Sequence, residues 1–595
     1  LAQKEISMKK MRIHLPLALV AALFLFGCSS CSPEAEKPTW KHNDNTLRVR
    51  QSSAITTLNP LLYRSKYEST AFELVFQYPM AFDFEKLELA PQLVKAAPVV
   101  LDITEGDYKG GQSFTYEIHP EAVWDDGKPV TGRDFEFSLK AAFNPGMGLA
   151  RFLPYLAAVR DFEVDEANPK LFTVFTINKY MLNFAGISNF IVLPEHIYDP
   201  QGLMKKFTLN ELTDPAKVAK IANDPALQQF VDFYNTPKIA RETVSGSGPY
   251  KLVEWVDDQR VVLAKKQNWW GEKLAGQYRS LQAYPDTIIF LPIKDATAAI
   301  AAVKDESVDL GTELDSKQFT ELRQVDFVKG IYNFETPATF KFFLTAMQNR
   351  NPKLSDKRVR RALAHTIDMD MVIKDLYDGL GERIVGPFFP DQPYYLKSMQ
   401  PIQMNLDEAR KLLAEAGWKD SNGNGTVDKT IDGALVEMKL NYIYQAGSAF
   451  AESFALLMKA NAQKIGVEIE PNGIDPKLLG ERFKNGEYEL GARGATGYPL
   501  PDDPEQLWHT SAAVPGGSNY TRFGNAASDA LIEGIKNAPD EATRTKLYQD
   551  FQQLIYDEQP VIFQFSPYEK FAVHQRFEPV ISRMGASLQH FKLKK

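Results

Sequence analysis

Cysteine is nearly missing from this chain: Cys28 and Cys31 are the only two in 595 residues. A framework of several disulfides is therefore excluded, and stability has to come from a core. Catalytic signatures are missing as well. The eight histidines include no H-E-x-x-H pair, and there is neither a G-x-S-x-G elbow nor a G-x-x-x-x-G-K-[ST] phosphate loop. Ser245-Gly246-Ser247-Gly248 is glycine-rich but lacks the lysine that a phosphate loop needs. Paired carboxylates abound in an acidic chain and single out nothing, so an enzyme is not expected. Positive charge is in deficit: the formal net charge is −8, with Lys and Arg scattered, which speaks against nucleic acid as a partner. The apolar run near the start, Leu15 to Phe26, is too short to cross a hydrocarbon layer of about 30 Å as a helix.

That run does fit a signal peptide, because Lys9, Lys10 and Arg12 precede it. Export is expected. Leu1 to Ser7 precede the plausible starts Met8 and Met11 and are read as untranslated. Leu25-Phe26-Gly27-Cys28 resembles a bacterial lipobox, in which the cysteine is lipidated and becomes the mature N-terminus. Phe26 is bulkier than the Ala or Ser usual there, and the competing reading is an ordinary signal peptide cut near Ser30. With Cys28 lipidated, Cys31 has no partner and the folded body has no disulfide. Ser29 to Asn45 is polar, with two prolines and mixed charges, and reads as a flexible tether ahead of a strand at Thr46 to Gln51. The length that remains exceeds what one core usually serves, so two or three domains are expected.

The most informative stretch is Phe114 to Phe143. Phe114, Tyr116 and Ile118 alternate with Thr115, Glu117 and His119, the period of a half-buried strand, and Pro120 ends the run. Asp125-Asp126-Gly127-Lys128-Pro129 is turn chemistry. Thr131 with Asp134 three residues on resembles a capping box, opening a helix through Phe135, Leu139 and Ala142. Within this unit, Trp124, Asp126, Gly127, Pro129, Asp134, Phe137 and Ser138 match W-x-D-G-x-P-x-x-A-x-D-V-x-F-S. By these residues the segment closely resembles the family 5 extracellular solute-binding proteins, the peptide, dipeptide and nickel receptors of ABC importers. Gly132 and Phe135 stand where that pattern has Ala and Val.

Further matches follow in family order: Leu58-Asn59-Pro60-Leu61, Pro91-Gln92-Leu93, Leu193-Pro194-Glu195-His196, Ser247-Gly248-Pro249-Tyr250 and Ser307-Val308-Asp309-Leu310. In the second half, Ser355 is read as capping a helix in which Val359, Leu363 and Ile367 form an apolar stripe ringed by Arg358, Arg360 and Arg361. Asn405 and Glu408 open another helix that closes at Gly417. Leu547, Phe551, Leu554 and Ile555 mark a third, stopping at Pro560. Two stretches run long: Asp102 to Gln112, read as a hairpin tip, and Pro200 to Lys238, read as a peripheral helical insertion.

The resemblance implies an α/β, two-lobed periplasmic-binding-protein-like fold with discontinuous lobes, a hinge, and a subdomain inserted in the first lobe. Lobe one would be 46–76, 190–338 and 560–595, the inserted subdomain 77–189, and lobe two 339–559. It also implies a monomeric receptor that does no chemistry, needs no cofactor, is lipid-anchored in the periplasm or at the cell surface, and hands its ligand to a membrane permease. The expected ligand is an oligopeptide. The alternatives are a non-peptide such as a nickel complex, an opine or a saccharide, or a surface receptor without a permease.

In peptide-binding members an Asp of a W-x-x-D-Y segment of lobe two receives the ligand's amine. Here the region is Ala492 to Pro499, with Gly494 near the Trp position and Gly497 at the Asp position. Either Asp502 or Asp503 takes that role from a displaced loop, or the ligand is not an ordinary free-amine peptide. Arg493 is a candidate for holding a carboxylate or phosphate through its planar fork, or else a surface ion-pair residue. Tyr498 and Trp508 are candidates for the pocket wall or, as isolated aromatics, for the core. Asp420, Asn422, Asn424 and Asp428, with Gly425 between, have the oxygen spacing of a calcium loop. Ile431 stands where the bidentate Glu would be, and the competing reading is a polar hairpin tip.

Overall fold

The computed structural model describes residues 40–149 and 153–594. Cys28, Cys31, the expected signal peptide and most of the expected tether lie outside them. The chain divides into a short unit, 1–41, and a body that begins at His42; everything below concerns the body. No helix among the described residues is long and apolar enough to cross a membrane.

Three sheets organise the body. The first is seven-stranded, in the order 332–335, 571–574, 310–311, 46–51, 287–292, 260–265, 250–256. Thr46–Gln51 runs parallel to both its neighbours, and the outer pairs are antiparallel. Leu47 and Val49 point to one side and are buried, as a period of two requires. The second sheet has five strands, in the order 468–474, 439–445, 490–496, 341–347, 561–563. The third has four antiparallel strands, in the order 99–102, 112–117, 171–176, 159–164.

The segment that the sequence singles out is built as its residues dictate. Gln112–Glu117 is a strand of the third sheet, Gly127 turns at φ +82°, and a helix runs over Gly132–Phe143 with a Thr131–Asp134 capping box. One Asp134 oxygen accepts from the Thr131 N–H at 2.9 Å and the other from the Glu195 N–H at 3.1 Å, tying this cap to the Pro194 corner. Asp126 meets His196 at 2.8 Å and Asp125 meets Lys266 at 2.6 Å. The motif's polar residues are thus used up in joining the third sheet's layer to the first. Asp102 pairs with Gln112, which makes the long stretch between them a hairpin tip.

The chain crosses between the first and second sheets twice, at 336–340 and at 564–570, and the two crossings lie side by side. The Glu569 N–H donates to the Pro337 carbonyl at 2.9 Å and the Thr339 hydroxyl to the Pro567 carbonyl at 2.8 Å. Val561–Phe563 pairs with Leu344–Ala346 in the second sheet, inside the range 560–595 that the sequence reading gives to lobe one, so the return crossing falls a few residues later. Where the C-terminal segment rejoins the first sheet, Arg576 and Asp309 form a 2.8 Å ion pair with both side chains essentially inaccessible. Asp309 also accepts from the Arg48 N–H at 2.8 Å.

Three local expectations change. The cap at the helix Lys357–Ala364 is Asp356, whose carboxylate accepts from the Arg358 N–H, not Ser355. Arg360 is not on the outer ring: it is 3% exposed, and its guanidinium donates to the carbonyls of Leu354, Ser355, Glu558 and Gln559. The stretch from Pro200 is peripheral only in part. Pro215–Ile221 buries no side chain, but Pro225–Tyr234 buries Leu227, Phe230, Val231 and Tyr234 in the main core.

Candidate ligand-binding site

A cavity of about 780 Å³ lies between the two large sheets and the third, inside the size range of small-ligand sites. Its lining comes from every layer. A helix over Lys66–Phe72, here called α1, supplies Lys66, Tyr67 and Thr70, with Glu73 at its end. The helix starts where it does because Glu68 closes a capping box, accepting from the N–H groups of Arg64 and Ser65 at 2.7 and 3.0 Å. Ala71 and Phe72 anchor it in the core, leaving the polar positions toward the cavity. Tyr78, Tyr155 and Asn189 come from the third sheet's side, Glu313 from the first sheet, and Lys341, Thr496, Tyr498 and Leu500 from the second.

Two fixed ion pairs sit on the wall. Lys66 and Glu313 are in direct contact, and Glu313 also accepts from Tyr67 at 2.8 Å and from Ser52. Burial alone would raise the Glu313 carboxyl; Lys66 and these donors instead hold it down at about 2. Glu313 adopts φ +52°, unusual for a side chain-bearing residue, and Arg50 fixes that turn by donating to the carbonyls of Thr312 and Glu313 at 2.7 and 3.2 Å. The second pair, Lys341 and Glu569 at 2.7 Å, spans the two crossing segments. Burial works to raise Glu569, and Lys341 together with Lys66 and Lys570 outweighs it, so that carboxyl is held below its usual range.

Of the residues that the sequence puts forward, Tyr498 lines this cavity and is half exposed to it. The other four lie off the lining. Arg493 stacks between the Phe483 and Tyr520 rings, at 4.9 Å from each centroid. Trp508 is 4% exposed, in the core with Phe523 and Phe563. Asp503 accepts from the Tyr180 hydroxyl at 2.6 Å and from the Glu505 N–H at 3.0 Å. Asp502 is enclosed beside it; burial and the Asp503 charge push its carboxyl up to about 7. In the loop at Asp420, the carboxylate accepts from the N–H groups of Gly423, Asn424 and Gly425, and the Asp428 carboxylate from the Ser421 N–H and hydroxyl. These oxygens are turned to the loop's own donors, and the loop leads into the hairpin 428–437. No group of three or more His, Cys, Asp or Glu suited to a metal occurs among the described residues.

Gly497 has a steric explanation. A Cβ built there would lie 2.8 Å from Cε2 of Phe389, and Phe389, 1% exposed, is held edge-on by Phe340 and Phe342. The ring occupies the room a side chain at 497 would need. The cavity's charged groups, Lys66, Glu73, Glu313, Lys341 and Glu569, escape a sequence reading because no motif brackets them. The available signal was spacing: Lys66, Thr70 and Glu73 recur at four and three residues, a polar stripe on a helix otherwise buried.

Two α/β lobes joined by paired crossings around a cavity have the architecture of the periplasmic-binding-protein class. The chain belongs to the bacterial extracellular solute-binding proteins, family 5, whose middle region matches residues 98–518. It is 25% identical over 576 residues to the oligopeptide-binding protein AppA of Bacillus subtilis (strain 168), covering 95% of this chain and 94% of that one. In fold it is similar to the oligopeptide-binding protein of Thermus thermophilus complexed with a pentapeptide, with TM-score 0.71, 19% identity, and coverage of 92% of this chain and 96% of the other. It is equally similar to NikA of Brucella suis in complex with Fe(III)-EDTA, with TM-score 0.73, 18% identity, and coverage of 93% and 100%.

Proposed function

We propose that this protein is the substrate-binding component of an ABC importer, capturing oligopeptides between its lobes and presenting them to a membrane permease. The observation that carries the reading is the cavity: about 780 Å³, bounded by residues of both large sheets, with its ion pairs already satisfied by one another. Such a wall offers tyrosine rings and fixed dipoles to a ligand rather than a reactive group, which suits a receptor. The relatives named as oligopeptide-binding proteins support the ligand class. Lobe one is taken as the first sheet with its helices, the inserted subdomain as the third sheet's layer, and lobe two as the second sheet. The paired crossings are the hinge.

In this reading the protein acts as a monomer without a cofactor, exported and held at the membrane by a lipid on Cys28, and it is not an enzyme. Ligand bound to both lobes favours the closed form by the difference in its affinity for the two states, and the permease reads that difference. Thermal-shift measurements against short peptides, nickel–histidine complexes and saccharides test it. Stabilisation by peptides is expected; stabilisation by non-peptides alone would contradict it.

A further inference from the structure

The charged residues that line the cavity are matched, with one exception. Lys66 contacts Glu313 and Lys341 contacts Glu569. Arg279 is engaged with Glu85 and Asp83, and the Arg50 guanidinium is used on backbone carbonyls. Glu73 alone among these described residues faces no cation. Among the described residues its hydrogen-bond partner is the Tyr78 hydroxyl at 3.5 Å. Glu73 lines the cavity's open interior and is exposed to it; the surrounding walls of the cleft push its carboxyl up to about 7, the Tyr78 hydrogen bond only partly opposing them. It also sits at the C-terminal end of α1, where the helix dipole makes a negative charge unfavourable. A ligand that fills the cavity takes this carboxylate out of water, which is costly unless the ligand brings a cation to it.

The surroundings fit a small organic cation. Tyr78 stands beside Glu73, and Tyr498, from the opposite lobe, is close enough that the Glu73 charge adds to burial in raising its phenol. A carboxylate with tyrosine rings around it is the composition that binds an ammonium, by charge pairing and by attraction to the ring faces. We propose that Glu73 is the receptor for a primary ammonium group of the ligand. The inference rests on the reading of this cavity as the peptide site, and it names a specificity residue in lobe one. Because Tyr498 belongs to the other lobe, an ammonium held between them would be bound more tightly in the closed form than in the open one.

The test is isothermal titration of the intact protein and of Glu73→Gln with three peptides of one sequence: one with a free N-terminus, one N-acetylated, and one N-acetylated with an added lysine. An N-terminal source for the ammonium gives at least tenfold weaker binding on acetylation in the wild type, with no such difference in the variant. A side-chain source gives recovery by the lysine peptide, again only in the wild type. Both outcomes support the proposal. Binding near pH 7 should also release a proton in the wild type, as Glu73 ionises against the ammonium, and release none in the variant. Tyr78 and Tyr498 face Glu73 and, with both phenols raised, remain protonated at that pH. Equal affinity of wild type and Glu73→Gln for all three peptides overturns the proposal and leaves the peptide reading standing. No binding of any peptide by the wild type overturns both.

Discussion

The Tyr180 hydroxyl donates to the Asp503 carboxylate at 2.6 Å, joining the segment after the third sheet to the loop that follows the second sheet's strand Leu490–Thr496. Arg583 makes the same kind of connection, pairing with Glu382 and with Asp391 at 2.8 Å. These contacts tie the segments that follow the third and first sheets to segments of the second sheet's layer. Asp503 is thereby engaged by a donor of the protein and lies off the cavity lining.

Tyr180→Phe removes that hydrogen bond, which in the proposed receptor would favour the closed form. A hydrogen bond to a charged acceptor contributes about 1.5–3 kcal/mol, so the closed form should weaken and ligand release should accelerate about tenfold or more. Stopped-flow release of a bound peptide measures this, with thermal stability of the ligand-free protein expected to stay close to wild type.

Gly497→Ala should destabilise. The added Cβ would press on a Phe389 ring that Phe340 and Phe342 prevent from yielding, and overpacking of this kind costs about 1–3 kcal/mol. Urea unfolding reads the change as a lower midpoint. Gly497→Asp should fare no better and should not tighten peptide binding.

Asp309→Asn removes the buried carboxylate that pairs Arg576 and leaves only the half-exposed Asp44, 3.7 Å away. The Asp309 and Arg576 side chains are essentially inaccessible, so a loss of about 3–5 kcal/mol is expected, again by denaturant unfolding. Peptide affinity of the folded fraction should be unchanged, because neither residue lines the cavity.

Acid should remove the contribution of Glu313. Its carboxyl is held at about 2 in the folded protein, below the usual glutamate value, so the unfolded state binds the proton more readily. The stabilisation is present in full above the ordinary value of about 4.3 and is lost as pH falls toward 2. Melting temperatures of wild type and Glu313→Gln should differ at pH 6 and converge across that window.

Much of the scaffold was legible because it is local. The alternation at Phe114–Ile118, the Thr131–Asp134 cap and the Asn405 cap are decided within a few residues, and the structure has each of them. Arg360 was misplaced because its partners, the carbonyls of Glu558 and Gln559, are far away in sequence. The cavity was hidden for the same reason. Its wall joins Glu73, Glu313, Lys341, Tyr498 and Glu569, which only the two crossings bring together. Family likeness points to the loop after Leu490–Thr496, and of its candidates Tyr498 reaches the cavity while Arg493, Asp502, Asp503 and Trp508 lie off its lining.

The central claim, that the cleft holds oligopeptides, is tested most directly by native mass spectrometry of ligand that copurifies with the protein. The account expects a mixture of peptide masses released on unfolding. Recovery of a single non-peptide species would contradict it.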